Sequence, residues 1–115
     1  MIQCSCKQVV LAQEVELANS FFKRLKGLML RPNMASQTAM LLAPCPQIHT
    51  CFMRFPIDVL FLDKNGKVLH IIEQMKPWRI SPIIGRATQT LEMPGGTLQG
   101  RVRKGDQIVF TEITE

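Results

Sequence analysis

The chain has 115 residues, 46% of them hydrophobic and 20% charged. That balance carries no signature of disorder and lets one compact core form without disulfide or metal staples. The net charge of +5 is dispersed in short clusters, Lys23-Arg24-Leu25-Lys26 and Arg101-Val102-Arg103-Lys104, and there is no tyrosine; a solvated basic face therefore outweighs nucleic-acid binding.

No apolar run approaches the ~18 residues of a membrane-spanning helix. No basic start followed by an apolar stretch marks a secretory leader. The expectation is one domain over 1–115, cytoplasmic, with its four cysteines reduced.

In chain order, 9–12 and 14–18 read as short strands forming a hairpin or one bent strand, because Val15 and Leu17 alternate with Glu14 and Glu16. Asn19-Ser20 is a helix start, and Phe21, Leu25 and Leu28 follow on one face, with Gly27 as the stop. A strand over 38–43 closes at Pro44 and Pro46. The next, over 57–63, is apolar on both faces and reads as central.

Asp63-Lys64-Asn65-Gly66-Lys67 is a hairpin turn. A two-residue turn would oppose Lys64 and Lys67. A three-residue loop with left-handed Gly66 pairs Asp63 with Lys67, and opposite charges favour it. The return strand covers 67–75. Residues 76–84, with Pro77, Trp78 and Pro82, read as an ordered crossover loop. A strand over 87–93, one helical turn over 97–103 and a last strand over 107–113 complete the series. The pattern predicts an α+β, predominantly β domain: a small barrel or strongly curved, mostly antiparallel sheet with one or two short helices. It offers no doubly wound sheet and no phosphate-binding glycine motif.

The chemistry concentrates in 45–63. Cys45, His49, Cys51 and Met53 offer sulfur and imidazole within nine residues, a donor set suited to zinc or cuprous copper, with Cys4 and Cys6 as further ligands. The spacing lacks two separated pairs, so core filling by thiols and Met competes with it. Cys45 or Cys51 as a nucleophile with His49 as base is a second reading. The third is a polar trio of His49, Arg54 and Asp58, in which Asp58 opens an otherwise apolar strand and must be paired or solvated. Arg54, Thr50 or Arg86 are its candidate partners. The scattered methionines read as core filler.

These residues also resemble a family. Gly27-Leu28-Met29-x-Arg31, Met40-Leu41-Leu42, Ile48-His49-Thr50-x-x-Met53-x-x-Pro56-Ile57-Asp58-x-x-Phe61-Leu62-Asp63, Leu91-Glu92-x-Pro94-x-Gly96 and Gly105-Asp106 occur in that order. The set is similar to a widespread prokaryotic family of small domains of unknown function. The resemblance implies a compact, barrel-like, β-rich α+β domain. It implies no established reaction, cofactor or partner. Many members carry a secretory or lipoprotein leader, a signal not expected from the polar start at residues 1–7, and Cys51 takes a position often apolar or aromatic there.

The reading that follows is a non-enzymatic binding or accessory module with a polar patch of His49, Thr50, Arg54 and Asp58. No cofactor is expected. The partner is a protein or a small polar or anionic ligand, with nucleic acid disfavoured. The alternative is an enzyme or metal protein built on Cys45 and His49.

Overall fold

The computed structural model describes residues 1–18, 28–29 and 31–114. Among them are eight strands and no helix: β1 Ile2–Cys6, β2 Val9–Ala12, β3 Glu14–Ala18, β4 Thr38–Leu42, β5 Ile57–Leu62, β6 Val68–Met75, β7 Gln89–Pro94 and β8 Ile108–Glu112. They form a three-stranded sheet, β2-β1-β8, and a five-stranded sheet, β3-β4-β7-β5-β6. Every pairing is antiparallel except β3 with β4.

The predominantly β expectation holds, and the barrel does not. β2 and β3 are neither a hairpin nor one strand. The chain bends at Gln13 and passes from one sheet to the other, where Gln13 and Glu14 both donate to the Gln37 carbonyl. At the opposite junction Val68 donates to the Asp106 carbonyl and Gly105 to that of Val68. These contacts tie the sheets together at two corners without a continuous ladder, so the sheet never closes. The predicted turn of helix over 97–103 is a series of turns. The predicted helix from Asn19 lies outside the described residues, apart from Leu28, which is buried.

The hairpin takes the three-residue form. Asp63 and Gly66 close it, with Gly66 at φ +85°. The Asp63 side chain accepts from the amides of Asn65 at 2.8 Å and Lys67 at 2.9 Å. A side chain at Gly66 would meet the Ile108 carbonyl, so glycine answers both the backbone conformation and the close approach.

β5 is central, between β7 and β6, and all six of its residues are buried. Its two faces serve different layers. Leu60 and Leu62 pack with Cys4, Cys6, Leu11, Leu91, Met93 and Ile108, between the two sheets. Ile57, Val59 and Phe61 pack with Met40, Leu42, Cys45, Ile48 and Met53, under the irregular segment 44–56. Asp58 follows the parity of Leu60 and Leu62 and faces the first layer. β1 has no counterpart in the sequence-based expectation. Ile2, Cys4 and Cys6 alternate along it, and both thiols fill the core between the sheets.

Candidate functional site

The segment after β4 has no regular strand of its own, yet it is firmly tied to the crossover loop 76–84. His49 and Ile80 form an antiparallel bridge. Thr50 donates its amide to the Arg79 carbonyl at 2.8 Å, and Ser81 donates to that of Ile48 at 2.9 Å. These two bonds flank the His49–Ile80 position, which is therefore a non-hydrogen-bonded pair, the kind that sets side chains closest. Trp78 donates to the Thr50 carbonyl at 3.0 Å and Ile84 to that of Pro46 at 2.9 Å.

Alternation then sorts the side chains of this short ladder. Ile48, Thr50 and Ser81 turn inward and are buried. Ser81 Oγ accepts the Ile48 amide and donates to the Pro82 carbonyl. Thr50 Oγ1 donates to the Lys76 carbonyl at 2.6 Å and accepts the Arg79 amide at 2.9 Å. One fully buried hydroxyl thus satisfies two backbone groups of the loop and sets its path.

Gln47, His49, Cys51 and Ile80 turn outward and, with Ile48, line an open cleft of about 340 Å³. His49 is exposed, and its Nδ1 accepts the Cys51 amide at 3.2 Å. That bond fixes the proton of a neutral ring on Nε2. Beside the cleft, the rings of Phe52 and Trp78 lie with centroids 4.6 Å apart and planes tilted by 58°, a tilted contact within the separations aromatic pairs favour. Both residues sit at φ +64°, a left-handed conformation unusual for bulky side chains. Phe52 is 51% exposed, Trp78 57%, and Ile80 and Ile83 69% each. Phe52 and Trp78 therefore form a paired exposed apolar group rather than single scattered ones.

Charge is one-sided here. Between Pro44 and Pro56, and between Gln74 and Leu91, there is no acidic residue, while Arg54, Lys76, Arg79 and Arg86 are all exposed. Arg79 donates to the Trp78 carbonyl at 3.4 Å. Arg54 makes no ion pair with any described residue.

The structure separates the residues singled out in the sequence. His49 and Arg54 are exposed; Thr50 and Asp58 are completely buried. Asp58 meets neither Arg54 nor Arg86 in an ion pair. Its Oδ1 accepts the Gln74 amide at 2.9 Å and its Oδ2 the Leu98 amide at 2.8 Å. It joins β5, the bulged end of β6 and the turn after β7. Asp58 therefore shapes the fold from the layer opposite the His49 cleft, and the four-residue patch does not assemble.

Cys45 and His49 also part company. The Cys45 thiol is buried in the layer beneath the cleft and donates to the Gln47 carbonyl at 3.1 Å, while His49 faces out. Among the described residues no three His, Cys, Asp or Glu side chains gather as a metal site. Cys4 and Cys6 are far from supplying ligands. Burial pushes the Cys4 thiol up to about 11. Burial, and then the neighbouring Asp106 carboxylate, push Cys6 upward as well. Asp106 itself is held low by Lys7, at 2.9 Å, and by the Arg103 amide, at 2.8 Å.

Phe52, Trp78 and Ile80 are the residues that sequence reasoning passed over. Their signal was available: a tryptophan and three isoleucines in an acid-free loop punctuated by prolines, facing a segment of the same bias.

A β-rich domain of this architecture finds its counterpart among known sequences. Residues 3–110 match the DUF192 family, described as "Uncharacterized ACR", and the chain belongs to that family. It is 37% identical over 112 residues to a UPF0127 protein of Pyrococcus horikoshii, covering 94% of this chain and 96% of that one. With a UPF0127 protein of Thermococcus sibiricus it shares 36% identity over 88 residues, 73% of this chain but only 56% of the relative. Among solved structures, a Novosphingobium aromaticivorans protein of unknown function has a TM-score of 0.80 at 21% identity, covering 94% of this chain and 82% of that one. A Sinorhizobium meliloti protein named a candidate transcription regulator has a TM-score of 0.76 at 25% identity, covering 95% and 91%.

Proposed function

We propose that the chain is a non-enzymatic binding or accessory module, one domain working in the cytoplasm, that takes an anionic partner on the outer face of the His49–Ile80 ladder. The observation that carries this reading is the exposed Phe52–Trp78 pair, set in left-handed backbone beside a cleft and accompanied by four exposed cations with no acidic residue in either segment. Left-handed, non-glycine positions cost of order 1–3 kcal/mol each and persist where surrounding structure imposes them, commonly at ligand-binding sites. Here Thr50 braces both positions: its carbonyl accepts the Met53 and Trp78 amides, and its hydroxyl accepts the Arg79 amide.

His49 and Arg54 are the members of the original patch that face the ligand. Thr50 and Asp58 act from inside, by holding the loop and the sheet. Among the described residues His49 makes no ion pair, and its Nδ1 is engaged by the Cys51 amide. Cys45, tied to the Gln47 carbonyl beneath the cleft, gives the alternative enzyme or metal reading no support.

Trp78 is the only tryptophan, so its emission reports on this face alone. Titration with poly-L-glutamate shifts that emission, and the effect fades with salt and weakens in Arg54→Ala/Arg79→Ala. Turnover of an ester, phosphate or glycoside that disappears in His49→Ala overturns the reading, as does an unresponsive Trp78.

A further inference from the structure

We infer that the anionic partner is a lipid bilayer surface, on which the 46–52 and 76–84 segments dock with Trp78 and Ile80 at the membrane–water interface. This rests on the binding reading above and names its ligand class.

Three properties of the face select a bilayer. The first is charge of a single sign. Arg54, Lys76, Arg79 and Arg86 have no acidic counterpart in their segments. A face of one sign matches a partner of the other, whether an acidic protein surface, a nucleic acid or an anionic membrane.

The second is the kind of apolar group exposed. Bases stack on flat rings. Ile80 and Ile83 are branched aliphatic side chains, each more exposed than either ring, and offer a base no platform. They do suit the acyl boundary of a bilayer. Tryptophan and phenylalanine concentrate at the same depth, with lysine and arginine at the headgroups. Trp78 joins a broad apolar ring to one N–H donor, and its neighbours Arg79 and Pro77 complete a short loop that carries both kinds of group.

The third is presentation. Phe52 and Trp78 are not loose. Each follows or bonds Thr50, whose hydroxyl and backbone are satisfied inside the fold. A pre-set aromatic pair loses little freedom on entering an interface. Among the described residues no helix is long and apolar enough to cross a membrane, so attachment of this kind would be peripheral, reversible and dependent on anionic lipid.

The test is co-sedimentation of the full chain with vesicles of pure phosphatidylglycerol and pure phosphatidylcholine, with Trp78 emission recorded in the same samples. Binding to the anionic vesicles only, a blue shift of Trp78 and release by high salt are the expected results. Ile80→Asp alters an exposed side chain and lowers partitioning about tenfold or more. Arg54→Ala/Arg79→Ala lowers it and flattens its salt dependence. Arg103→Ala/Lys104→Ala, in the other basic cluster, leaves it unchanged. An unchanged urea midpoint shows that each variant is folded.

Absence of sedimentation overturns the proposal, and so does sedimentation that leaves Trp78 emission unmoved or depends on Arg103 and Lys104. Response to poly-L-glutamate without vesicle binding removes the bilayer and leaves the binding reading standing; response to neither removes both. A single-stranded oligonucleotide that moves Trp78 at lower concentration than vesicles assigns the face to nucleic acid instead.

Discussion

Thr50 and Phe52 stand two residues apart and lie in opposite environments. Thr50 is polar and wholly buried, with its hydroxyl engaged at Lys76 and Arg79. Phe52 is apolar and half exposed, held in an unusual backbone conformation against an equally exposed Trp78. The same inversion separates Asp58 from Ile80. A buried carboxyl has two backbone amides to itself, while a branched aliphatic side chain faces water. The inner region is closed: its polar groups are matched, and removing any one leaves a buried donor or acceptor bare. The outer region is open, and its apolar groups lack the cover that the rest of the core has. The first region explains why the chain folds; the second is the face proposed to bind.

The contrast breaks first at Asp58. Asp58→Ala strips the acceptors from the Gln74 and Leu98 amides in a site without water access, and stability falls by about 3–5 kcal/mol, read as the shift in the urea unfolding midpoint. A loss under about 1 kcal/mol would mean that Asp58 is not the pin described. Thr50→Val keeps the shape and removes the hydroxyl. It costs about 1–3 kcal/mol and speeds amide exchange at Trp78 and Arg79, because the loop loses its inner anchor.

Glu92 sharpens the contrast with a pH dependence. It lies on β7, buried, on the face covered by the 44–56 segment. Burial, only partly offset by Arg31, raises its pKa from 4.5 to about 8. Between those values the folded protein keeps a proton that the unfolded chain has released, so stability falls as pH rises through that window. In Glu92→Gln the urea midpoint becomes flatter across the same window; a variant as pH-dependent as the parent chain contradicts the assignment. The smallest effect on stability belongs to the outer face. Ile80→Asp shifts the unfolding free energy by about 0.5 kcal/mol or less, as for an ordinary surface position, although it removes binding.

Much of the fold was legible because local signals and burial agreed. Five apolar residues among the six of β5 announced a central strand, and the charge pattern of Asp63 and Lys67 chose the hairpin loop correctly. β1 was illegible because Gln3, Ser5 and the flanking Lys7 hide the alternation of Ile2, Cys4 and Cys6; only pairing with both β2 and β8 makes it a strand. Closure into a barrel was misjudged because strand count says nothing about whether the two sheets join at both corners.

The site divided in the same way. Residue type singled out His49 and Arg54, and both are exposed. Thr50 and Asp58 looked equally chemical, and their type could not say which layer they face. That depends on the parity of β5 and on the partner strand that 76–84 provides. Trp78 and Ile80 were hidden because a loop gives no periodicity from which to read exposure.

The most direct test is amide chemical-shift mapping of the whole chain with poly-L-glutamate as the anionic probe. The account predicts shifts concentrated at 47–54 and 76–86, with the Gln74 and Leu98 amides and the 101–104 basic cluster unmoved. Shifts centred on 101–104, or spread evenly over the basic surface, would contradict it.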